Sequence, residues 1–145
     1  MDEQREQFLA GERPDDVLLY FNEQDVDGIE SLVDLGEAVE TGAVLVVDGE
    51  QGRGAFQSAT GVDPLSLPNV AERTENAIDP ALTDGDCPED DGDEAETHRV
   101  KFLFAFAEEQ NEEVGDIYAE GDVIHAYAVC TCGTTYGERW VAGSR

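Results

Sequence analysis

One lysine, Lys101, and seven arginines are the only lysine and arginine side chains in a chain of 145 residues that carries 35 Asp and Glu. Cations this scarce argue against an electrostatic grip on nucleic acid. Only His98, Arg99 and Lys101 cluster locally, with Arg139 available from a neighbouring strand. Long apolar runs are missing as well. No segment approaches the ~20 apolar residues of a membrane span, and residues 1–11 lack the apolar stretch of a signal peptide, so the expected location is the cytoplasm. Two histidines and four scattered serines assemble no triad. Nothing in the chain has the form of a nucleophile elbow, a His-Glu-x-x-His zinc helix or a kinase signature. There is no internal repeat.

What the chain has in excess is acid, for a formal charge of -27. In dilute buffer that charge drives a compact fold apart. In molar salt the Debye length falls to about 3 Å, and the carboxylates become a hydrated, mutually screened surface. Counterion release also drives little nucleic-acid binding under those conditions. Disorder throughout is excluded by the apolar runs at 17–21, 43–47 and 102–106. A nucleic-acid mimic or histone-binding tail is disfavoured because the acids are spread over nearly the whole chain. Abundant acid with one lysine beside seven arginines looks like haloarchaeal usage.

Residues 2–10 read as a short helix closed by Gly11. Residues 17–21, an unbroken apolar run, read as a strand covered on both faces. Asp27, with Glu30 three residues on, is placed to cap a helix whose Ile29, Leu32, Val33, Gly36 and Val39 share a face up to Gly42. Residues 43–47 form a second buried strand. Strand, helix and strand with short joints predict a right-handed βαβ unit with parallel pairing. A shorter helix is expected over 52–60. Residues 62–97 show little regular structure beyond a turn or two of helix near 69–76. A loop this long and acidic is either mobile or held down by something. Residues 98–107 alternate, with Val100, Phe102, Phe104 and Phe106 on one face and Leu103 and Ala105 on the other. Residues 123–129 and 136–142 read as a hairpin. The expected architecture is a single α/β (α+β) domain over 1–145, a mixed sheet with a parallel βαβ unit and an antiparallel C-terminal part.

The strongest candidate site is Cys87, His98, Cys130 and Cys132. Residues two apart on an extended chain point to one side, so Cys130 and Cys132 can aim both sulfurs at one point, and Gly133 frees the backbone to turn. A third sulfur and an imidazole complete a Cys3His set suited to zinc. His125 is the rival fourth ligand. The Cys-x-Cys link is one residue shorter than the usual knuckle. Two alternatives remain open for the three cysteines: small buried hydrophobes, or thiols that cycle through a disulfide.

A second candidate is the glycine-rich turn at 48–54, where Gly49, Gly52, Arg53 and Gly54 could present amides and a cation to an anion or nucleotide. Its Gly-x-x-Gly-x-Gly order differs from the dinucleotide fingerprint, and no P-loop lysine follows, so a plain tight turn competes. The acidic run at 84–96 begins like a calcium loop, but Pro88 takes the third ligand position and Glu89 the place that requires glycine. It reads as a solvated loop.

The segments at 11–16, 46–49, 104–111 and 130–133 carry a resemblance to a group of small haloarchaeal proteins classed only as a domain of unknown function. That resemblance implies an archaeal origin and no assigned activity, and it transfers no functional residue. Together these readings favour a non-enzymatic binding or adaptor module, stabilised by thiolate-bound zinc, with a protein or small molecule as partner. The alternatives are a small enzyme or anion-binding domain using the 48–54 turn, and a thiol redox protein.

Overall fold

The computed structural model describes residues 3–90 and 98–143. The elements in order are α1 (Glu3–Leu9), β1 (Asp16–Asn22), α2 (Ile29–Leu35), β2 (Glu37–Val39), β3 (Gly42–Asp48), α3 (Gly49–Thr60), a 3-10 turn (Pro64–Ser66), α4 (Leu67–Val70), β4 (Glu72–Arg73), β5 (Val100–Glu108), α5 (Ile117–Glu120), β6 (Val123–Cys130) and β7 (Thr135–Val141). The seven strands form one sheet in the order β2-β3-β1-β5-β6-β7-β4. This is the expected mixed α+β sheet, with the β6–β7 hairpin in its antiparallel part.

The parallel βαβ unit is corrected. β1 pairs antiparallel with β3, Val17 opposite Val47 and Phe21 opposite Ala43. The parallel pair is β4 with β7. The cause lies between β1 and β3, where α2 stops at Leu35 and Gly36 leaves the helical region. A Cβ at Gly36 would collide with the Val44 carbonyl. The chain then enters β2, which pairs antiparallel with β3. β2 therefore runs in the direction of β1, with β3 inserted between them. Asp27 does not cap α2. The N-cap is Gly28, in the left-handed region at φ 75°, with no side-chain cap.

Buried strand runs here mean two covered faces rather than parallel pairing. Leu18, Tyr20, Val44, Leu103, Ala126 and Tyr136 pack on one face with Phe8 of α1 and with Ile78 and Leu82. Leu19, Phe21, Leu45, Phe102 and Phe104 pack on the other around Phe56 of α3. Gly52 lets α3 approach this closely, since a Cβ there would overlap the Val17 side chain. A bulge at Lys101 alters the expected alternation of β5. Val100 pairs with Cys130 and Phe102 with Val129, so Val100 joins the face of Leu103 rather than that of Phe102.

The segment after α3 contains more structure than its sequence suggests. Leu67 is buried on the second face, β4 rounds the edge of β7, and Ile78 and Leu82 are buried on the first. The expected helical turn at 69–76 lies at Leu67–Val70. Glu138 fixes the crossing, because its carboxylate accepts from the backbone N–H groups of Asn76, Ala77 and Ile78 at 3.0 to 3.1 Å. Arg5 reaches the same segment from α1, donating to the Ala81 carbonyl at 3.1 Å while pairing with Glu37 at 3.0 Å. The remainder of the acidic run, 91–97, lies outside the described residues. Among the described residues no helix is long and apolar enough to cross a membrane.

Candidate metal centre

The end of the sheet where β5 begins and β6 finishes gathers four ligand-type side chains from three stretches of chain. Cys130 is the last residue of β6 and is 1% exposed. Cys132 lies two residues on, in the β6–β7 turn, and is exposed. The turn is tight because the Gly133 N–H donates to the Cys130 carbonyl at 2.9 Å, with Gly133 at φ 94°. Thus the turn, not an extended strand, brings the two sulfurs to one side. His98 approaches just before β5, and Cys87 arrives at the end of the segment that crosses the first face.

The Cys87 and Cys132 sulfurs lie 3.8 Å apart, and the Cys130 sulfur lies 3.5 Å from His98 Nδ1. The four ligand atoms all lie within 4.8 Å of one another. A Cys3His group is thus present within metal-binding distance.

Its electrostatics separate the thiols. Burial pushes the Cys87 thiol up to about 12. The Thr134 hydroxyl, 3.2 Å from the Cys132 sulfur, and the Thr134 backbone bring Cys132 down to about 6. The contact with Cys130 lifts His98 to about 9. The corner thus favours the thiolate form at Cys132 and the protonated form at His98. A bound metal displaces the remaining protons, because thiolate and neutral imidazole are the ligating forms.

The rival ligand, His125, is elsewhere. It precedes Cys130 by five residues in one strand, an odd number, so the two side chains point to opposite faces roughly 17 Å apart along the strand. His125 Nε2 meets Glu108 at 3.0 Å, and its ring stacks on Phe106 with centroids 4.9 Å apart. The 48–54 turn also lies apart from the cluster. Asp48 caps α3 by accepting from the Gln51 N–H at 3.0 Å. An acid thus already occupies the helix end where an anion would sit. Gly52 faces Val17 and Val47, a Cβ at Gly49 would meet the Arg53 guanidinium, and Gly54 faces open space.

A family model matches residues 36–143. The chain belongs to the family of unknown function DUF5807. All four cluster residues lie inside the part that matches the DUF5807 model, whereas α1 and β1 precede it. No curated protein and no solved structure matches the chain. Thr134, which contacts the Cys132 sulfur, was not evident as a contributor from the sequence. Position 134 follows Cys132 by two, the one signal that marks a hydroxyl near that sulfur.

Proposed function

We propose that this protein is a small non-enzymatic binding module whose fold is fastened by one zinc ion held by Cys87, His98, Cys130 and Cys132. The observation that carries the reading is the spacing of the ligand atoms. Tetrahedral zinc, with Zn–S about 2.3 Å and Zn–N about 2.0 to 2.1 Å, has S···S edges of about 3.8 Å and S···N edges of about 3.5 Å. The Cys87–Cys132 and Cys130–His98 separations are 3.8 and 3.5 Å. Three soft thiolates and one imidazole select zinc over magnesium or calcium, which take oxygen. Four protein ligands leave no open position for substrate or water, which favours a structural over a catalytic role. The ion would tie the crossing segment, the entry to β5 and the β6–β7 turn together. Its binding free energy then adds to that of folding.

The test is Cys130→Ser, which keeps the size and supplies a poor ligand. Loss of bound zinc with a Tm lowered by many degrees is expected. An ordinary core penalty of about 1 to 3 kcal/mol with no metal to lose would return the cysteines to buried hydrophobes.

The Cys87–Cys132 contact of 3.8 Å supports a second, redox reading. Hydrogen peroxide would take two electrons and two protons from these thiols, leaving a disulfide and two waters. Thiol counting before and after mild oxidation of metal-free protein checks it.

The setting we infer is the cytoplasm of a haloarchaeon, with a protein or small molecule as partner. The charge of -27 with a single lysine supports this. Lowering KCl from molar to about 0.1 M, where the Debye length reaches about 10 Å, should destabilise the fold. Equal Tm at both salts would remove this reading.

A further inference from the structure

The second face of the sheet, far along β6 from the cysteines, carries an open cavity of about 890 Å³ whose walls include His125, Tyr127, Gly137, Arg139 and Arg73. The volume suits a drug-sized or mononucleotide-sized ligand. Aromatic rings form one side. These are His125 and Tyr127, and Phe106, which is not itself a wall residue, stacks within 15° of parallel to His125 and within 25° of Tyr127. Tyr127 sits opposite Gly137, and a Cβ on Gly137 would run into the Tyr127 ring, so the bare glycine lets that ring lie across the neighbouring strand.

Cations line this cavity in a chain that has few. Arg5, Arg13 and Arg99 are held by Glu37, Asp16 and Asp25. Arg139 is held differently. It donates to the Tyr118 hydroxyl at 2.9 Å and lies 5.5 Å from the Tyr118 ring centroid, so a neutral phenol positions it. Arg73 stands on exposed β4 at the opposite wall. Carboxylates line the cavity too, Glu72, Glu75 and Glu138 among them, and two of the nearby acids already have partners. Glu138 takes the three amides of 76–78, and Glu108 takes His125. The cations of Arg139 and Arg73 therefore share the wall with Glu72 and Glu75.

We propose that this cavity binds a planar aromatic anion, the ring against Tyr127 and its neighbours and the acidic group between Arg139 and Arg73. Both halves of such a ligand meet complementary chemistry. Stacking on an aromatic face tolerates molar salt, and a direct guanidinium–oxyanion hydrogen bond is screened less than a distant charge pair. The site lies apart from the metal cluster and does not depend on it.

The test uses the metal-loaded full chain in molar KCl with four probes: adenosine monophosphate, adenosine, inorganic phosphate and salicylate. Calorimetry measures affinity, and the cavity variants below locate the binding. Saturable binding of the monophosphate or of salicylate is expected, at least tenfold tighter than adenosine or phosphate alone. The tighter of the two tells whether a nucleotide or an aromatic carboxylate is the better match. Arg139→Gln should weaken it at least tenfold. Arg73→Gln, on an exposed strand, gives the same readout should the first variant fail to fold. Arg13→Gln, a cation outside the cavity, should leave affinity unchanged. Saturation by neither aromatic anion overturns the proposal, and so does equal affinity for adenosine or affinity unchanged in both cavity variants.

Discussion

Glu138 offers a test of how the crossing segment is held that does not involve the metal. Its carboxylate accepts from three consecutive backbone N–H groups, of which Ala77 and Ile78 are part-buried and Asn76 is exposed. In Glu138→Ala, water can reach the Asn76 amide but reaches the other two poorly. Leaving a buried donor unsatisfied costs about 1 to 3 kcal/mol, so the two together give about 2 to 4 kcal/mol after partial relaxation. For a domain of this size that lowers Tm by on the order of 10 °C. Glu138→Gln keeps one acceptor oxygen, which should serve Ala77 and Ile78 together, and places an amide against Asn76. It should cost roughly half as much. Denaturation in molar KCl gives the stability, and hydrogen exchange gives the location, since the Ala77 and Ile78 amides should lose protection first. If Glu138→Ala remains within about 0.5 kcal/mol of the parent and both amides stay protected, the carboxylate does not hold the segment.

Other consequences follow from the packing and from the metal. Gly52→Ala should destabilise by about 1 to 3 kcal/mol by forcing α3 off Val17. Gly54→Ala, facing open space in the same helix, should stabilise by up to about 1 kcal/mol, and equal effects in a melting comparison would contradict the packing described. Phe56→Ala removes a fully buried ring that touches Phe21, Phe102 and Phe104, and should cost about 3 to 5 kcal/mol by denaturant titration. Chelation of the metal should speed proteolysis between Ala77 and Asp90 while β1, β3 and β5 stay protected. Unchanged cleavage there would show that the ion does not tether the segment.

How far the sequence led depended on what kind of signal each feature carries. Residues 17–21 and 43–47 were legible as strands because apolar runs report burial on both faces. They do not report direction, and an antiparallel centre covered on both faces produces the same runs as a parallel one. The three-residue β2 was hidden because Val39 falls on the helical face of α2. The close approach of Gly36 to the Val44 carbonyl, eight residues on, is a contact made only once the β2–β3 turn has formed, and it leaves no room for a side chain there. The bulge at Lys101 leaves no mark in the alternation of β5, yet it puts Val100 opposite Cys130. The four cluster residues were readable from residue type, whereas the choice between His98 and His125 was open to a parity argument along β6. The cavity at Arg139 was not readable, because its walls come from β4, α5, β6 and β7, which only the folded chain brings together.

The central claim is that Cys87, His98, Cys130 and Cys132 hold one zinc ion, and the most direct measurement is metal content with X-ray absorption on protein purified in molar KCl without chelator. The account predicts one zinc per chain, with three sulfurs at about 2.3 Å and one nitrogen at about 2.0 to 2.1 Å. Protein that carries no metal, has three titratable thiols and melts no higher when zinc is added would contradict it.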